Sequence, residues 1–320
     1  KMLNIAIIGL GWWGRTHINA IHNKSDKVKV IRVVDLNIEG SKDYASEQGL
    51  KLTANYRDAL DDPDVDAVVL VTPHSLHTEQ IIAAAETGKH VFTEKPFALN
   101  KADAEKSVAA AEKAGIQLGL GHNQRYAAPQ TEIKSMIESG QLGTIMHLEG
   151  NTSHATLSGF ISWRHDIKEA PGGGLYHMGS HYVDLFSSYL GPVAEVYAQA
   201  LDRIQPLDSA SALLTFECGA SAYIGNIMVT PTSRMLNVYG SEGWAKVVDL
   251  DKIEICMIDG NTELKKVTAV NPVKANMEGF ADAIAGTDNY KFTTDEMIHD
   301  VAVLAAIDRC LVSGKREKVF

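Results

Sequence analysis

Leu3-Asn4-Ile5-Ala6-Ile7-Ile8 runs directly into Gly9-Leu10-Gly11-Trp12-Trp13-Gly14. A second, largely apolar run, Val28 to Val34, ends in Asp35, 21 residues after the last of these glycines. A buried strand, a G-x-G-x-x-G turn opening a helix, and an acid closing the next strand make up a dinucleotide-binding fingerprint. Gly9 permits the tight turn. Gly11 carries no Cβ, so the main chain can approach a pyrophosphate, and Gly14 lets the helix pack against the strand. The helix amino terminus adds free N–H groups and the positive end of its dipole. Trp12 and Trp13, inside the loop, count with Gly9, Gly11 and Gly14 among the cofactor-binding candidates.

Asp35 bears on which dinucleotide is expected. A carboxylate at the end of the second strand accepts hydrogen bonds from ribose hydroxyls and repels a 2′-phosphate. Leu36-Asn37-Ile38-Glu39-Gly40 offers no cation for that phosphate, and Arg32 lies too early, inside the strand. NAD is therefore expected rather than NADP. The alternative for Asp35 alone is a helix cap or turn residue.

Composition narrows the class further. A chain of 320 residues with 45% hydrophobic and 22% charged residues suits a globular protein of two domains. A net charge of −10, with no basic stripe, argues against nucleic acid as a partner. Three scattered cysteines suggest neither a disulfide framework nor a zinc site. No apolar run reaches membrane-spanning length, and the chain enters a strand with no room for a signal peptide. A cytoplasmic protein without membrane partners is expected.

The first 120 or so residues alternate strand and helix signals, as a doubly wound parallel sheet requires. Near residue 122 the pattern changes to longer alternating strands, one helix from about 179 to 190, and helices over 276–285 and 294–313. The fold class expected is α/β. A Rossmann domain over 1–122 precedes an α/β domain over 123–320, built on an open, largely antiparallel sheet.

Four further segments carry chemistry: Thr72-Pro73-His74-Ser75-Leu76-His77, Gly88 to Pro96 with Glu94-Lys95-Pro96 at its end, Trp163-Arg164, and Gly172-Gly173-Gly174-Leu175-Tyr176-His177-Met178-Gly179-Ser180-His181-Tyr182-Val183-Asp184. In this order, after the glycine loop, they resemble the Gfo/Idh/MocA oxidoreductases, the group that includes glucose–fructose oxidoreductase and inositol dehydrogenases. The resemblance spans essentially the whole chain. It implies oxidation or reduction of a hydroxyl or carbonyl on a sugar, cyclitol or related compound, and a homodimer or homotetramer.

The resemblance also implies roles. Lys95, at the strand edge where such sheets bind ligands, would hydrogen-bond the reacting oxygen and manage its proton; the alternative is a lysine snorkelling from a loop. Glu94 would act on the nicotinamide side. Thr72 and Pro73 would line the dinucleotide groove, and His77 is either a cofactor contact or a cap or core residue. His181 matches the family's catalytic histidine, and an imidazole titrating near neutrality suits a general acid/base. Asp184 would orient that ring or satisfy the helix. His177 stands where many members carry aspartate, which leaves its catalytic and substrate-binding contribution open. The i, i+4 pair His177/His181 has a zinc spacing, but Gly179 weakens the helix and no third ligand is evident, so no metal is expected. Asn123 would reach the cofactor, and Arg125, His154, Trp163 and Arg164 are substrate-pocket candidates. The glycine run 172–174 either folds tightly under the ligand or forms an ordinary turn. Two other functions remain: a redox-neutral sugar-modifying enzyme that retains NAD, and a non-catalytic NAD-binding regulator.

Overall fold

The computed structural model describes residues 2–155, 166 and 168–320. Its contacts divide the chain into two compact units, residues 1–123 with 271–298, and residues 124–270 with 299–320.

The first unit begins with β1 (Leu3–Ile8), α1 (Trp12–Ile21), β2 (Val28–Val34), α2 (Ile38–Glu47), β3 (Lys51–Thr53) and α3 (Arg57–Leu60). It continues with β4 (Ala67–Leu70), α4 (His77–Glu86), β5 (His90–Thr93), α5 (Lys101–Ala114) and β6 (Leu118–Leu120). The strands form one parallel sheet in the order β3-β2-β1-β4-β5-β6. Central strands such as Ala67–Leu70 are buried at every residue, so they read as unbroken apolar runs instead of alternating ones. Local signals set the helix ends. Asn37 and Asn100 accept main-chain N–H groups at the starts of α2 and α5, and Gly115 takes the left-handed conformation after α5. β3 and α3 escape the sequence reading because they are three and four residues long.

One later segment belongs to this unit. Helix α8 (Pro272–Ala285) supplies Val273, Met277, Phe280 and Ala281 to the core under β1 and β2. The Phe280 ring meets Phe92 of β5 edge-on at 5.7 Å. Asn276 donates from Nδ2 to the Leu120 carbonyl and to Asn123 Oδ1, each at 2.9 Å. A contiguous division at 122/123 misses this return, because an amphipathic helix read locally does not announce which apolar surface it covers.

The second unit carries α6 (Ala128–Glu138), β7 (Ile145–Ser153), α7 (Ser180–Leu190), β8 (Val193–Leu201), β9 (Ser209–Phe216), β10 (Ser221–Ile227) and β11 (Ser233–Gly240). Next come β12 (Gly243–Asp249), β13 (Lys252–Met257), β14 (Thr262–Lys266), most of α9 (Thr294–Ser313), and β15 (Glu317–Lys318). The nine strands run β14-β13-β12-β11-β7-β10-β9-β8-β15 and pair antiparallel except for β7 with β10. The mixed, mostly antiparallel sheet is the one expected. Strands β12, β13 and β14 were not among the strands expected, although β13 alternates the buried Ile253 and Ile255 with Glu254; β14 buries no residue and carries no such pattern. Among the described residues no helix is long and apolar enough to cross a membrane.

Candidate functional site

The glycine loop between β1 and α1 is built as its sequence requires. Gly9 has φ +101°, and a Cβ there would lie 2.6 Å from the Val71 carbonyl oxygen. A Cβ on Gly14 would overlap the carbonyl oxygen of Gly9, whereas one on Gly11 would meet open space. Helix α1 has no side-chain cap and no acid in its first turn, so its leading N–H groups and positive dipole end remain available to an anion. The loop is braced from β2: Asp35 accepts from Leu10 N at 2.6 Å and from Asn37 N at 2.7 Å. Arg32 is committed to Asp62 at 2.6 Å. Arg15 spans the loop from the Leu10 carbonyl, at 3.2 Å, to the Gly40 carbonyl, at 2.9 Å. This donor-rich cradle with an acid at its rim fits NAD. Trp12 is 72% exposed beside the loop, while Trp13 is half-buried against the core.

The carboxyl ends of β4 and β5 carry the next group. His77 is fully buried, with Nδ1 3.0 Å from the Pro96 carbonyl and Nε2 3.2 Å from the Thr72 carbonyl. It is thus a clamp between the two loops, the core alternative of the sequence reading. Thr72 donates from Oγ1 to Gln80 at 2.6 Å, and Pro73 leads into a 3₁₀ turn. Glu94 is buried, and its Oε1 accepts from Nε2 of the fully buried His17 at 2.7 Å. Burial pushes the Glu94 carboxyl up, but the hydrogen bond and charge of His17 prevail and hold it below the usual carboxylate range. Lys95 follows, half-buried between this acid and Pro96. The buried Asn123 has its Oδ1 occupied by Asn276.

In the second unit, the three glycines are packed against the protein's own side chains. A Cβ on Gly172 would press on the Tyr176 ring, one on Gly173 on Leu207, and one on Gly174 would overlap Asn226. The run is folded tightly on these side chains, which is not the packing of an open, loose turn. A π-helical turn, Leu175–Gly179, then leads into α7, where the sequence suggests only a helix start. It carries the half-buried His177, and α7 carries the half-buried His181. Asp184 does not serve its helix alone. Both its oxygens accept from Arg125, Nε at 3.0 Å to each and Nη2 at 2.7 Å to Oδ1. Arg125 is 6% exposed and Asp184 fully buried, so the pair braces α7 against the chain leading into α6. His154 follows β7, with its N–H on the Ile227 carbonyl. Trp163 and Arg164 lie outside the described residues.

The π turn is tied to α9 by a hydrogen bond from the Tyr176 hydroxyl to Asp308 Oδ2. Burial pushes the Asp308 carboxyl up to about 6, against the pull of Tyr176 and Arg309. A folded-state value above the ordinary one, about 4, means stability present at low pH and lost as pH rises through 6. Asp308→Asn retains an acceptor for Tyr176. Its stability relative to the native chain is expected to rise between about pH 4 and 7, by roughly 2–3 kcal/mol, in paired denaturant titrations.

His17 escaped the sequence reading. Its signal is a histidine three residues beyond Gly14, on the same stripe of α1 as the buried Gly14, Ile18 and Ile21. Nothing local says that the polar atom it meets is Glu94, 77 residues away.

The fold and the cradle define an NAD-binding oxidoreductase. The description "Oxidoreductase family, NAD-binding Rossmann fold" matches residues 3–122, and the GFO/IDH/MocA C-terminal domain matches residues 131–246. The chain belongs to the Gfo/Idh/MocA family. It is 32% identical over 256 residues to the uncharacterised oxidoreductase YrbE of Bacillus subtilis, covering 77% of this chain and 73% of that protein. It is 26% identical over 306 residues to a 1,5-anhydro-D-fructose reductase of Ensifer adhaerens, covering 91% of each. The fold superimposes on an aldose–aldose oxidoreductase from Caulobacter crescentus, solved with glycerol, with a TM-score of 0.89 at 24% identity, over 99% of this chain and 100% of that one.

Proposed function

We propose that this enzyme is an NAD-dependent dehydrogenase acting on a secondary hydroxyl or the corresponding carbonyl of a sugar, cyclitol or glycoside. The observation that carries the reading is Lys95, held half-buried at the carboxyl end of β5 beside the buried Glu94, on the sheet edge where open α/β folds bind their ligands. The Ensifer adhaerens relative, named for a reaction on an anhydro sugar, supports the substrate class.

In this reading residues 1–123 together with 271–298 hold the cofactor, and the second unit supplies substrate-binding residues. The N–H groups at the start of α1 and the carboxylate of Asp35 hold NAD, with Gly9, Gly11 and Gly14 letting the main chain approach. When bound, NAD supplies the two-electron step by exchanging hydride with a carbon. Lys95 donates a hydrogen bond to the substrate oxygen and stabilises the negative charge that grows as the hydroxyl proton leaves. His181 takes that proton and returns it in the reverse direction. His177, an imidazole where relatives of the family carry a carboxylate, brings a switchable donor or acceptor in place of a fixed negative charge. The assembly proposed by the family resemblance is a homodimer or homotetramer, and the compartment the cytoplasm.

Absorbance of NADH across a panel of sugars, anhydro sugars, inositols and glycosides tests the reading, with NAD and NADP supplied separately. Substrate-dependent reduction of NAD in preference to NADP is expected. Consumption of a panel compound with no net NADH would replace the dehydrogenase with a redox-neutral enzyme.

A further inference from the structure

We propose that His17 is a positioning residue that acts through Glu94 on Lys95, tying the helix that opens the dinucleotide cradle to the group that handles the substrate proton. The inference deepens the dehydrogenase reading and rests on its assignment of Lys95.

His17 lies on α1, one turn beyond Gly14, and is completely buried. Its ring is held edge-on between Trp13 and Phe92, each centroid 5.8 Å away, at 85° and 73°. That packing leaves the imidazole one in-plane polar contact, Nε2 to Glu94 Oε1, while Nδ1 meets no hydrogen-bond partner. A carboxylate only accepts, so Nε2 carries the hydrogen and donates it. The other carboxylate oxygen, Oε2, accepts the main-chain N–H of Lys95 at 3.3 Å. On its far side the carboxylate fills the space a Cβ on Gly121 would take, 2.6 Å from all three carboxyl atoms. Glu94 therefore has one place to sit: His17 orients it, and it orients the chain at Lys95.

A histidine kept only for packing would be an expensive choice. An apolar ring of similar size would fill the gap between Trp13 and Phe92 without burying a polar nitrogen that finds no partner. The hydrogen bond to Glu94 is what an apolar ring lacks. His17 itself belongs to α1, whose leading N–H groups the proposed function assigns to the cofactor phosphates. Movement of that helix on cofactor binding would thus be transmitted to Lys95 through two hydrogen bonds.

The test uses the full-length chain carrying His17→Phe, His17→Gln or His17→Leu. Glutamine places an N–H donor near the position of Nε2, so His17→Gln retains the bond and His17→Phe retains only the packing. The first readout needs no turnover: the pH dependence of Lys95 acylation by a small amine reagent in the NAD-free protein, followed by peptide mass spectrometry. Without its donor, the buried Glu94 carboxylate holds its charge less well, and Lys95 is expected to react at lower pH in His17→Phe but not in His17→Gln. The second readout is NAD affinity, by quenching of tryptophan fluorescence, with steady-state kinetics. For His17→Phe, kcat is expected to fall by about 100-fold with little change in substrate KM, as for a misplaced catalytic group.

A folded His17→Phe protein with a native Lys95 profile would overturn the proposal. So would a His17→Gln protein as altered as His17→Phe, since packing alone would then explain the histidine. If His17→Phe does not fold, His17→Leu decides: a native Lys95 profile there overturns the proposal, and a shift that His17→Gln lacks supports it. Failure of the dehydrogenase reading would show as no NADH from any panel compound in the native enzyme, and leaves the acylation result standing.

Discussion

Lys95→Met is expected to lower turnover by about 10²- to 10⁴-fold, the range that positioned acid–base groups contribute, while NAD affinity stays close to native. Methionine matches the length and flexibility of lysine but donates no hydrogen bond and carries no charge. It leaves the glycine loop, Asp35 and the amino terminus of α1 untouched, so the cradle that fits NAD persists. Stopped-flow or steady-state NADH formation on the best panel substrate, paired with tryptophan quenching by NAD, separates the two effects. Full activity in Lys95→Met would remove the lysine from the chemistry. Loss of NAD binding with loss of activity would instead make it part of the cradle.

Asp184→Ala is expected to cost about 3–5 kcal/mol of stability, the range seen when one member of a buried ion pair is removed. Asp184 receives three hydrogen bonds from Arg125 in a region closed to solvent, and a carboxylate oxygen of Asp300 lies within 4.8 Å. Burial pushes the Asp184 carboxyl up, and the Arg125 guanidinium pulls it back. Withdrawing Asp184 leaves a buried guanidinium without the carboxylate that takes those bonds. Asp184→Asn keeps an acceptor oxygen and should lose less. Exchanging both members for apolar residues, Arg125→Met with Asp184→Leu, should recover part of the loss, because no guanidinium is then left buried without its carboxylate. Urea denaturation of the four proteins measures this series. A loss under 1 kcal/mol for Asp184→Ala would mean that the pair is open to water or rearranges, since exposed pairs contribute only about 0–1 kcal/mol.

Legibility along the chain followed sequence distance. The G-x-G-x-x-G turn, the fully buried strands Ala67–Leu70 and His90–Thr93, and the capped helix Lys101–Ala114 each declare themselves within a window of about a dozen residues, through periodicity, caps and glycine. Glu94-Lys95-Pro96 was legible because it closes such a strand. The contacts that organise the site join residues far apart. His17 meets Glu94 across 77 positions, Arg125 meets Asp184 across 59, Asn276 meets Asn123 across 153, and Tyr176 meets Asp308 across 132. No local pattern distinguishes an arginine that will reach substrate from one that will be buried on an aspartate.

The sequence alone determined that this is an α/β protein with a dinucleotide cradle at its start, an acid in place for NAD, and a lysine and a histidine in the motifs of one oxidoreductase family. Backbone sterics and short-range periodicity impose the fold class and the cradle wherever the residues occur, whereas the lysine and the histidine are singled out by the family resemblance. Only the tertiary structure decided that helix 272–285 returns to the first unit, that the glycine run is packed by Tyr176, Leu207 and Asn226, and that Arg125 and His77 are braces. It also showed His17 beneath Glu94. Each of these depends on which buried surfaces and polar atoms meet, and that is settled when the whole core closes and every buried donor competes for an acceptor.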